Sequence, residues 1–170
     1  SVGMLELAPY LKSYLKAFPR VNFRLQYDQA QKIYDDVSSS EIDLGIVPYP
    51  RAQRNVDVIE FTENEMVVIA PPGHKLTQKE IIEAKDLAEF PLILFTQETP
   101  TRKAIDRFFR KHNVRPNVAM ELDHIATMKH AVEVDIGISI VPLNSIEEEI
   151  ERGTLCYLPI DDRGFVRPLG

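Results

Sequence analysis

Residues 117–142 carry the clearest change of hydrophobic period in the chain. Apolar and polar residues alternate over residues 118–121, as in a half-buried strand. Over residues 125–134 the apolar residues recur at helical spacing. Residues 138–141 then form a short, nearly continuous apolar run that ends at Pro142 and is typical of a strand buried on both faces. The pattern predicts a βαβ unit. Its first loop, residues 123–125, should lie at the carboxyl edge of the sheet, where open α/β folds bind ligands.

The same reasoning predicts further elements on both sides of this unit. Helical spacing of apolar residues predicts helices over residues 2–18, 30–37, 79–87, 99–112 and 145–152. Alternating or continuous apolar residues predict strands or extended segments over residues 21–27, 42–47, 56–61, 66–70, 92–95 and 154–160. Because strands alternate with helices, we expect an α/β fold with largely parallel sheets.

Composition and charge narrow the class of protein. With 170 residues, of which 44% are hydrophobic, the chain can bury a core as one domain or as two small lobes. Its longest apolar runs are far short of a membrane span, and Ser1 does not begin a signal peptide. The single cysteine, Cys156, excludes an internal disulfide and fits a reducing, cytoplasmic compartment. A net charge of -6 without a basic block argues against a nucleic-acid surface, so any DNA contact must come from elsewhere.

Sequence signals for catalysis and metal binding are weak. None of the four histidines shows metal-ligand spacing, and His124 and His130 are six residues apart. Cys156 lies in an apolar strand, where a small core residue is the better interpretation than a nucleophile. The chain has no GxGxxG, P-loop or GxSxG motif. We therefore expect no enzyme activity, no metal and no cofactor.

Helix N-termini remain as candidate anion sites. Thr99 and Pro100 begin a helix with a hydroxyl cap and a proline at the first position. The helix dipole favours acidic residues in the first turn, yet this turn carries Arg102 and Lys103. An anion held by N–H groups, hydroxyls and a cation would explain these charges. Alternatively, Arg102 pairs with Asp106 one turn later and faces water. The sequence leaves both interpretations open.

Other candidate contacts are equally open to a structural interpretation. Ser1 can be an ordinary N-cap or an anion contact. Asp123 can cap the next helix, with His124 a surface residue, and Ile125 fits the core better than a pocket wall. Tyr49, directly after a predicted buried strand, can lie over a cleft or pack on its own loop.

Seven stretches, in this order and spacing, together resemble the effector-binding domain of LysR-type transcriptional regulators. They are SVGMLELAPYLKSYLKAFP, SEIDLGIVPYP, EMVVIAPPGHKL, LAEFPLILF, TPTRKAIDRFF, ELDHIATMKHAVEVDIGISIVP and ERGTLCYLPI, and they cover essentially the whole chain. The resemblance implies two Rossmann-like lobes joined by crossover strands, the type 2 periplasmic-binding-protein fold. Lobe I would comprise residues 1–62 with 160–170, completed by a strand before residue 1 and a strand and helix after residue 170. Lobe II would comprise residues 63–159.

By position, the family's cleft contacts fall on five short stretches of this chain. They are Ser1 and Val2; Ala30 and Gln31; Pro48 and Tyr49; Thr99, Pro100, Thr101 and Arg102; and Asp123, His124 and Ile125. Two positions depart from the family's pattern. Ala30 replaces the polar residue of many members, so that contact would be lost. Asp135 replaces the usual glycine, which predicts a non-glycine residue with positive φ.

The resemblance implies a regulator that acts by allostery rather than by chemistry. A small effector in the cleft would favour one closure angle of the lobes. An upstream helix-turn-helix domain would bind DNA, and the effector domains would pair in a homodimer or tetramer. Arg102, Lys103 and the helix N-termini indicate a small anion as effector: a carboxylate, sulfate or phosphate. A solute-binding receptor of a transporter would share the fold, and an enzyme of this fold would have only Asp123 and His124 as a candidate pair.

Overall fold

The structure is a computed structural model that describes residues 2–170, with side chains described for residues 7–8 and 10–170. The helices are α1 Val2–Ala17, α2 Ala30–Ser38, α3 Ala84–Leu87, α4 Pro100–Lys111, α5 Ile125–Glu133 and α6 Glu147–Arg152. The strands are β1 Thr62–Ala70, β2 Pro91–Phe95, β3 Asn117–Leu122, β4 Ile138–Pro142, β5 Cys156–Pro159 and β6 Val166–Leu169. Single 3-10 turns cover Lys75–Gln78 and Leu143–Ser145.

The six strands of this part of the chain form one mixed sheet of order β3-β2-β4-β1-β5, with β6 paired to the beginning of β1. Strand β2 is parallel to β3 and β4, whereas β1 is antiparallel to β4, β5 and β6. Within β1, residues 62–65 pair with β6, and residues 66–70 pair with β4 and β5. Strands β2, β3, β4, β5 and β6 thus all run in one direction and β1 alone runs opposite to them, so the expectation of largely parallel strands is confirmed, with β1 as the exception.

The core surrounds the middle of this sheet. Residues 66–70 of β1 and all of β4 are buried, and their sequences are almost continuously apolar, as expected for strands covered on both faces. Helix α4 packs Ile105 and Phe109 onto the sheet, and α5 packs Met128. The predicted βαβ unit, β3-α5-β4, is confirmed, with β2 inserted between its two strands.

Three predicted strands do not form. Residues 21–27 have no regular structure, and their apolar side chains are exposed, from 38% at Val21 to 59% at Tyr27. Residues 42–47 are also irregular, with Leu44 87% exposed, and residues 56–61 contain only one isolated bridge. Alternation indicates an extended backbone, but a strand also needs a hydrogen-bonded neighbour. Within the described residues these segments have such a neighbour only at their ends, where Val47 pairs with Gly170 and Phe61 donates to Leu169 O at 3.0 Å.

The predicted helix over residues 79–87 is reduced to α3. Ile82 instead bonds to the main chain beside β5: its N–H donates to Pro159 O at 2.8 Å, and its carbonyl accepts from Asp161 N at 2.8 Å. These bonds keep the segment before α3 extended. The final strand, β6, was not predicted, because Pro168 cannot donate to a ladder and argues against a strand.

Candidate functional site

Strands β2 and β3 end side by side, with Phe95 opposite Leu122. The N–H of Thr96 donates to Leu122 O at 3.1 Å, which holds the two strand ends together. Short loops then lead directly into α4 and α5. The N-termini of both helices therefore open at the carboxyl edge of the sheet, where the sequence placed the candidate ligand contacts.

The start of α4 has the predicted capping geometry. Thr99 is extended, with φ -70° and ψ 141°, and its Oγ1 accepts from Arg102 N at 3.2 Å. The same hydroxyl donates to Thr96 O at 2.9 Å. Pro100 occupies the first helical position, and Thr101 is buried. This arrangement gives a rigid helix N-terminus whose dipole and N–H groups suit an anion.

Arg102 does not extend into solvent. Only 6% of the residue is exposed, and its Nε donates to Asp106 Oδ1 at 2.9 Å. Its Nη1 donates to Glu121 Oε1 at 2.6 Å and to Phe95 O at 2.8 Å. Of the two interpretations that the sequence left open, the pair with Asp106 is confirmed, but the guanidinium is buried rather than facing water. Burial acts to lower the pKa of Arg102, but the hydrogen bonds to Glu121 and Asp106 raise it above its ordinary value.

Glu121, on β3, was not singled out from the sequence. Besides Arg102, its Oε1 accepts from Gln97 Nε2 at 3.2 Å. The hydrogen bond from Arg102, and then that from Gln97, lowers the pKa of Glu121 below its ordinary value. In the sequence, Glu121 is recognisable only as a carboxylate at a polar position of an alternating strand, and in the structure that position is exposed. Glu121 therefore joins β3 to both α4 and the loop that precedes it.

The start of α5 differs from the prediction. The N-cap is His124, not Asp123, and it makes no side-chain capping bond. The backbone is still extended at His124, with φ -116° and ψ 126°, so the helix begins one residue later than a cap at Asp123 would require. Both side chains are more than two-thirds exposed, with Nε2 and Oδ1 3.8 Å apart. His124 is thus a surface residue and Ile125 a core residue, as predicted.

The candidate contacts near α2 form a second group. Ala30 is the first residue of α2, and Gln31 donates to Asp35 Oδ1 at 3.0 Å. The Oε1 of Gln31 accepts from Arg51 Nη2 at 2.8 Å, and Arg51 N donates to Tyr34 Oη at 2.8 Å. These bonds tie the beginning of α2 to the segment that follows Pro48.

Tyr49 packs against β6. Pro48 forms an isolated bridge with Leu169, and Tyr49 N donates to Pro168 O at 2.8 Å. The phenol of Tyr49 donates to Val166 O at 3.2 Å. Burial raises the pKa of Tyr49 to about 12. Its φ of 52° is left-handed, a strained conformation for an aromatic residue.

The thirteen candidate residues thus fall into three sets. One lies at the starts of α4 and α5, one lies around Gln31 and Tyr49, and the third is the pair Ser1 and Val2. Ser1 and the side chain of Val2 lie outside the described residues. Among the hydrogen bonds and ion pairs within residues 7–170, none joins the α4 and α5 starts to the group around Gln31 and Tyr49. A single cleft lined by both groups therefore stays a prediction.

An open groove of about 650 Å³ lies elsewhere, between β1, β6 and residues 160–165, and none of the thirteen residues lines it. Its rim includes Glu63, Glu65 and Asp161. Within the described residues, no group of three or more histidine, cysteine, aspartate or glutamate side chains is arranged to hold a metal. Over the same part of the chain, no helix has both the length and the apolar character of a membrane span.

Comparisons of the sequence with family models and with known proteins all lead to the same family. The family model described as "LysR substrate binding domain" matches residues 1–170. A transcriptional activator from Synechocystis, CmpR, is 30% identical over 151 residues, 89% of this chain and 50% of the activator. A RuBisCO operon transcriptional regulator from Allochromatium vinosum is 29% identical over 141 residues, 83% of this chain and 47% of that protein. The chain therefore spans about half the length of these relatives.

Among solved structures, the Synechocystis CcmR regulatory domain in complex with 2-PG superposes with a TM-score of 0.88 at 26% identity. The alignment covers 98% of this chain and 80% of the CcmR chain.

Proposed function

Because the chain belongs to the LysR substrate binding domain family, we propose that it is the effector-sensing part of a cytoplasmic LysR-type transcriptional regulator. Its fold is the mixed α/β, type 2 periplasmic-binding-protein-like fold of these effector-binding domains. The two relatives named above are transcriptional regulators, which supports regulation over transport and over catalysis. In this proposal, DNA is bound by a helix-turn-helix domain elsewhere in the full protein.

The observation that carries the proposal is the meeting of two helix N-termini at one sheet edge. α4 and α5 both begin where β2 and β3 end, with Thr99 and Thr101 in the first of these starts. The positive ends of two helix dipoles favour a negative group, and main-chain N–H groups can hold it without a charged side chain. We therefore propose a small anion as effector. The related CcmR domain binds 2-PG, which makes 2-PG the first probe.

The proposed cleft lies between lobe I, residues 1–62 with 160–170, and lobe II, residues 63–159. The change of partners along β1 supports this division, because residues 62–65 pair with β6 and residues 66–70 with β4 and β5. Effector binding would favour one closure angle, limited by the difference in affinity for the two states. A homodimer or tetramer would carry that change to the DNA-binding domains.

A thermal-shift titration with 2-PG, inorganic phosphate, sulfate and acetate tests this function. A ligand at 100 times its Kd stabilises the native state by about 2.7 kcal/mol. For a chain of this size that corresponds to a rise in Tm of about 5 to 10 °C. Thr101→Val removes a hydroxyl at nearly constant shape, and Lys103→Ala removes the exposed cation of the first turn.

The matched control is Arg110→Ala, which removes an exposed cation from the other end of α4. We expect the shift to shrink in Thr101→Val and Lys103→Ala and to persist in Arg110→Ala. An anion that shifts all four proteins equally binds elsewhere. If no anion in the panel shifts the wild type, the proposed effector class is wrong.

A further inference from the structure

We propose that Arg102 is a positioning residue that fixes the start of α4 for the effector and does not itself contact it. The inference rests on the proposed function, because it concerns the same sheet edge. It also gives a different role to Arg102, which the sequence had indicated as a candidate ligand of the anion.

The guanidinium of Arg102 already bonds three elements. Nε bonds to Asp106 within α4, and Nη1 bonds both to Glu121 of β3 and to the carbonyl of Phe95 at the end of β2. One cation therefore faces two carboxylates, so the guanidinium has no unpaired charge to offer an anion. An effector anion that bound Arg102 directly would have to displace Glu121 or Asp106 from the buried guanidinium, which would leave a half-exposed carboxylate without its partner.

The same bonds restrain the loop that presents the helix start. The loop between β2 and α4 is held at Thr96 by Leu122 O, at Gln97 by Glu121 and at Thr99 by its own capping bonds. Arg102 completes this set, because it joins the first turn of α4 to the last carbonyl of β2. Groups held in their bound positions lose less conformational freedom when a ligand arrives.

This role depends on the shape of the arginine side chain as well as on its charge. A planar guanidinium presents several N–H groups at fixed angles and so serves acceptors at different points around its edge, within its plane. A lysine ammonium at the same place keeps the charge but has no fork to link Asp106, Glu121 and Phe95 O simultaneously. Arg102→Lys therefore separates charge from geometry.

Amide hydrogen exchange on the ligand-free protein gives the first test. We expect exchange at residues 97–103 to rise about ten-fold in Arg102→Lys, as for the loss of a charge-assisted hydrogen bond. Glu121→Asp keeps the charge but is one methylene shorter, so the 2.6 Å bond to Arg102 should open, with a similar rise. Exchange in β1 and β4 should not change. Unaltered exchange at residues 97–103, or an equal rise throughout the sheet, would overturn the positioning role.

Calorimetric titration of the same variants with 2-PG gives the second test. If Arg102 positions the site, Glu121→Asp should weaken binding by about three- to ten-fold, because the loop must be ordered on binding. If Arg102 is instead a direct ligand, the same change releases the guanidinium and binding becomes tighter, which would refute the inference. Glu148→Asp is the matched control, since Glu148 forms an exposed pair with Arg152 on α6.

The two proposals fail separately. If 2-PG does not bind the wild-type protein, that result counts against the proposed effector. The exchange measurement contains no ligand and still decides whether Arg102 fixes the start of α4.

Discussion

Gly137, just before β4, is the glycine whose replacement should be most damaging. A β-carbon added there would lie 2.4 Å from the carbonyl oxygen of Pro91 and 3.1 Å from its carbonyl carbon. Both are backbone atoms at the beginning of β2, so no side-chain rotation relieves the contact. Gly137→Ala therefore requires β2 and the start of β4 to separate by about 1 Å, given ordinary carbon contacts of about 3.5 Å.

The expected loss of stability follows from this separation. Overpacking of a rigid site costs about 1 to 3 kcal/mol. Strands β2 and β4 share only two Cα pairs, Leu92 with Ile138 and Ile93 with Ser139, and both lie next to the contact. Weakening one of their hydrogen bonds adds about 1 kcal/mol. We therefore expect Gly137→Ala to lower the free energy of unfolding by about 2 to 4 kcal/mol.

Urea unfolding followed by circular dichroism measures this change. With a slope of about 2 kcal/mol per M, the midpoint should fall by about 1 to 2 M. Gly73→Ala is the control, because Gly73 has φ 82° and open space around its Cα. That substitution carries only the left-handed penalty of about 1 kcal/mol. If Gly137→Ala costs no more than Gly73→Ala, the backbone contact does not limit the packing of β2 against β4.

Three further predictions concern the cap of α4 and two partly buried titrating groups, Tyr49 and Asp162. Thr99→Ala removes the bond to Arg102 N and should lower the Tm by about 3 °C, for a loss of about 1 kcal/mol measured by calorimetry. Burial raises the pKa of Tyr49 from 10.0 to about 12, so the folded state holds this proton more tightly than the unfolded state. The free energy of unfolding should therefore fall as pH rises from about 10 to 12, and Tyr49→Phe should remove that part of the slope in urea titrations. Burial acts to raise the pKa of Asp162, but the hydrogen bonds from Lys111 and His112 outweigh it, and the pKa lies below its ordinary value of 3.8. The ionised carboxylate of Asp162 therefore stabilises the folded protein at pH values above 3.8, and this stabilisation is lost as the pH falls through the pKa of the folded state. Asp162→Asn should destabilise the protein at neutral pH and have the same stability as the wild type in acid.

The sequence predicted the elements whose signals are local. Helix α4 begins at a threonine cap followed by proline, as predicted, and α6 ends at Arg152, the predicted last residue, with Gly153 in the left-handed conformation after it. Strand β4 is apolar except at Ser139, because both of its faces are covered. Asp135 has the positive φ, 60°, that the family resemblance implied. Each of these features is determined within a few residues of chain.

Features that depend on distant partners could not be predicted. Residues 21–27 alternate between apolar and polar side chains as in a strand, but this pattern does not show whether a second strand lies beside them to form hydrogen bonds. The Asp106 partner of Arg102 lies one helical turn away and was predicted, whereas Glu121 lies 19 residues away on another element and was not. Whether Arg102 can bind an anion depends on that second carboxylate, so its availability could not be judged from the helix alone.

The two groups of candidate contacts are connected through residues in which the sequence showed no sign of ligand binding. At the end of α4, Lys111 bonds to Asp162 at 2.6 Å, and Phe108 stacks on Phe165 with ring centroids 4.8 Å apart. Both partners belong to the loop that leads into β6, and β6 in turn accepts both hydrogen bonds from Tyr49. Helix α4 and Tyr49 therefore both contact β6 or the loop before it, although no hydrogen bond within the described residues joins them directly. A sequence pattern for a ligand contact has no reason to include these residues, because their role is to join parts of the chain to one another.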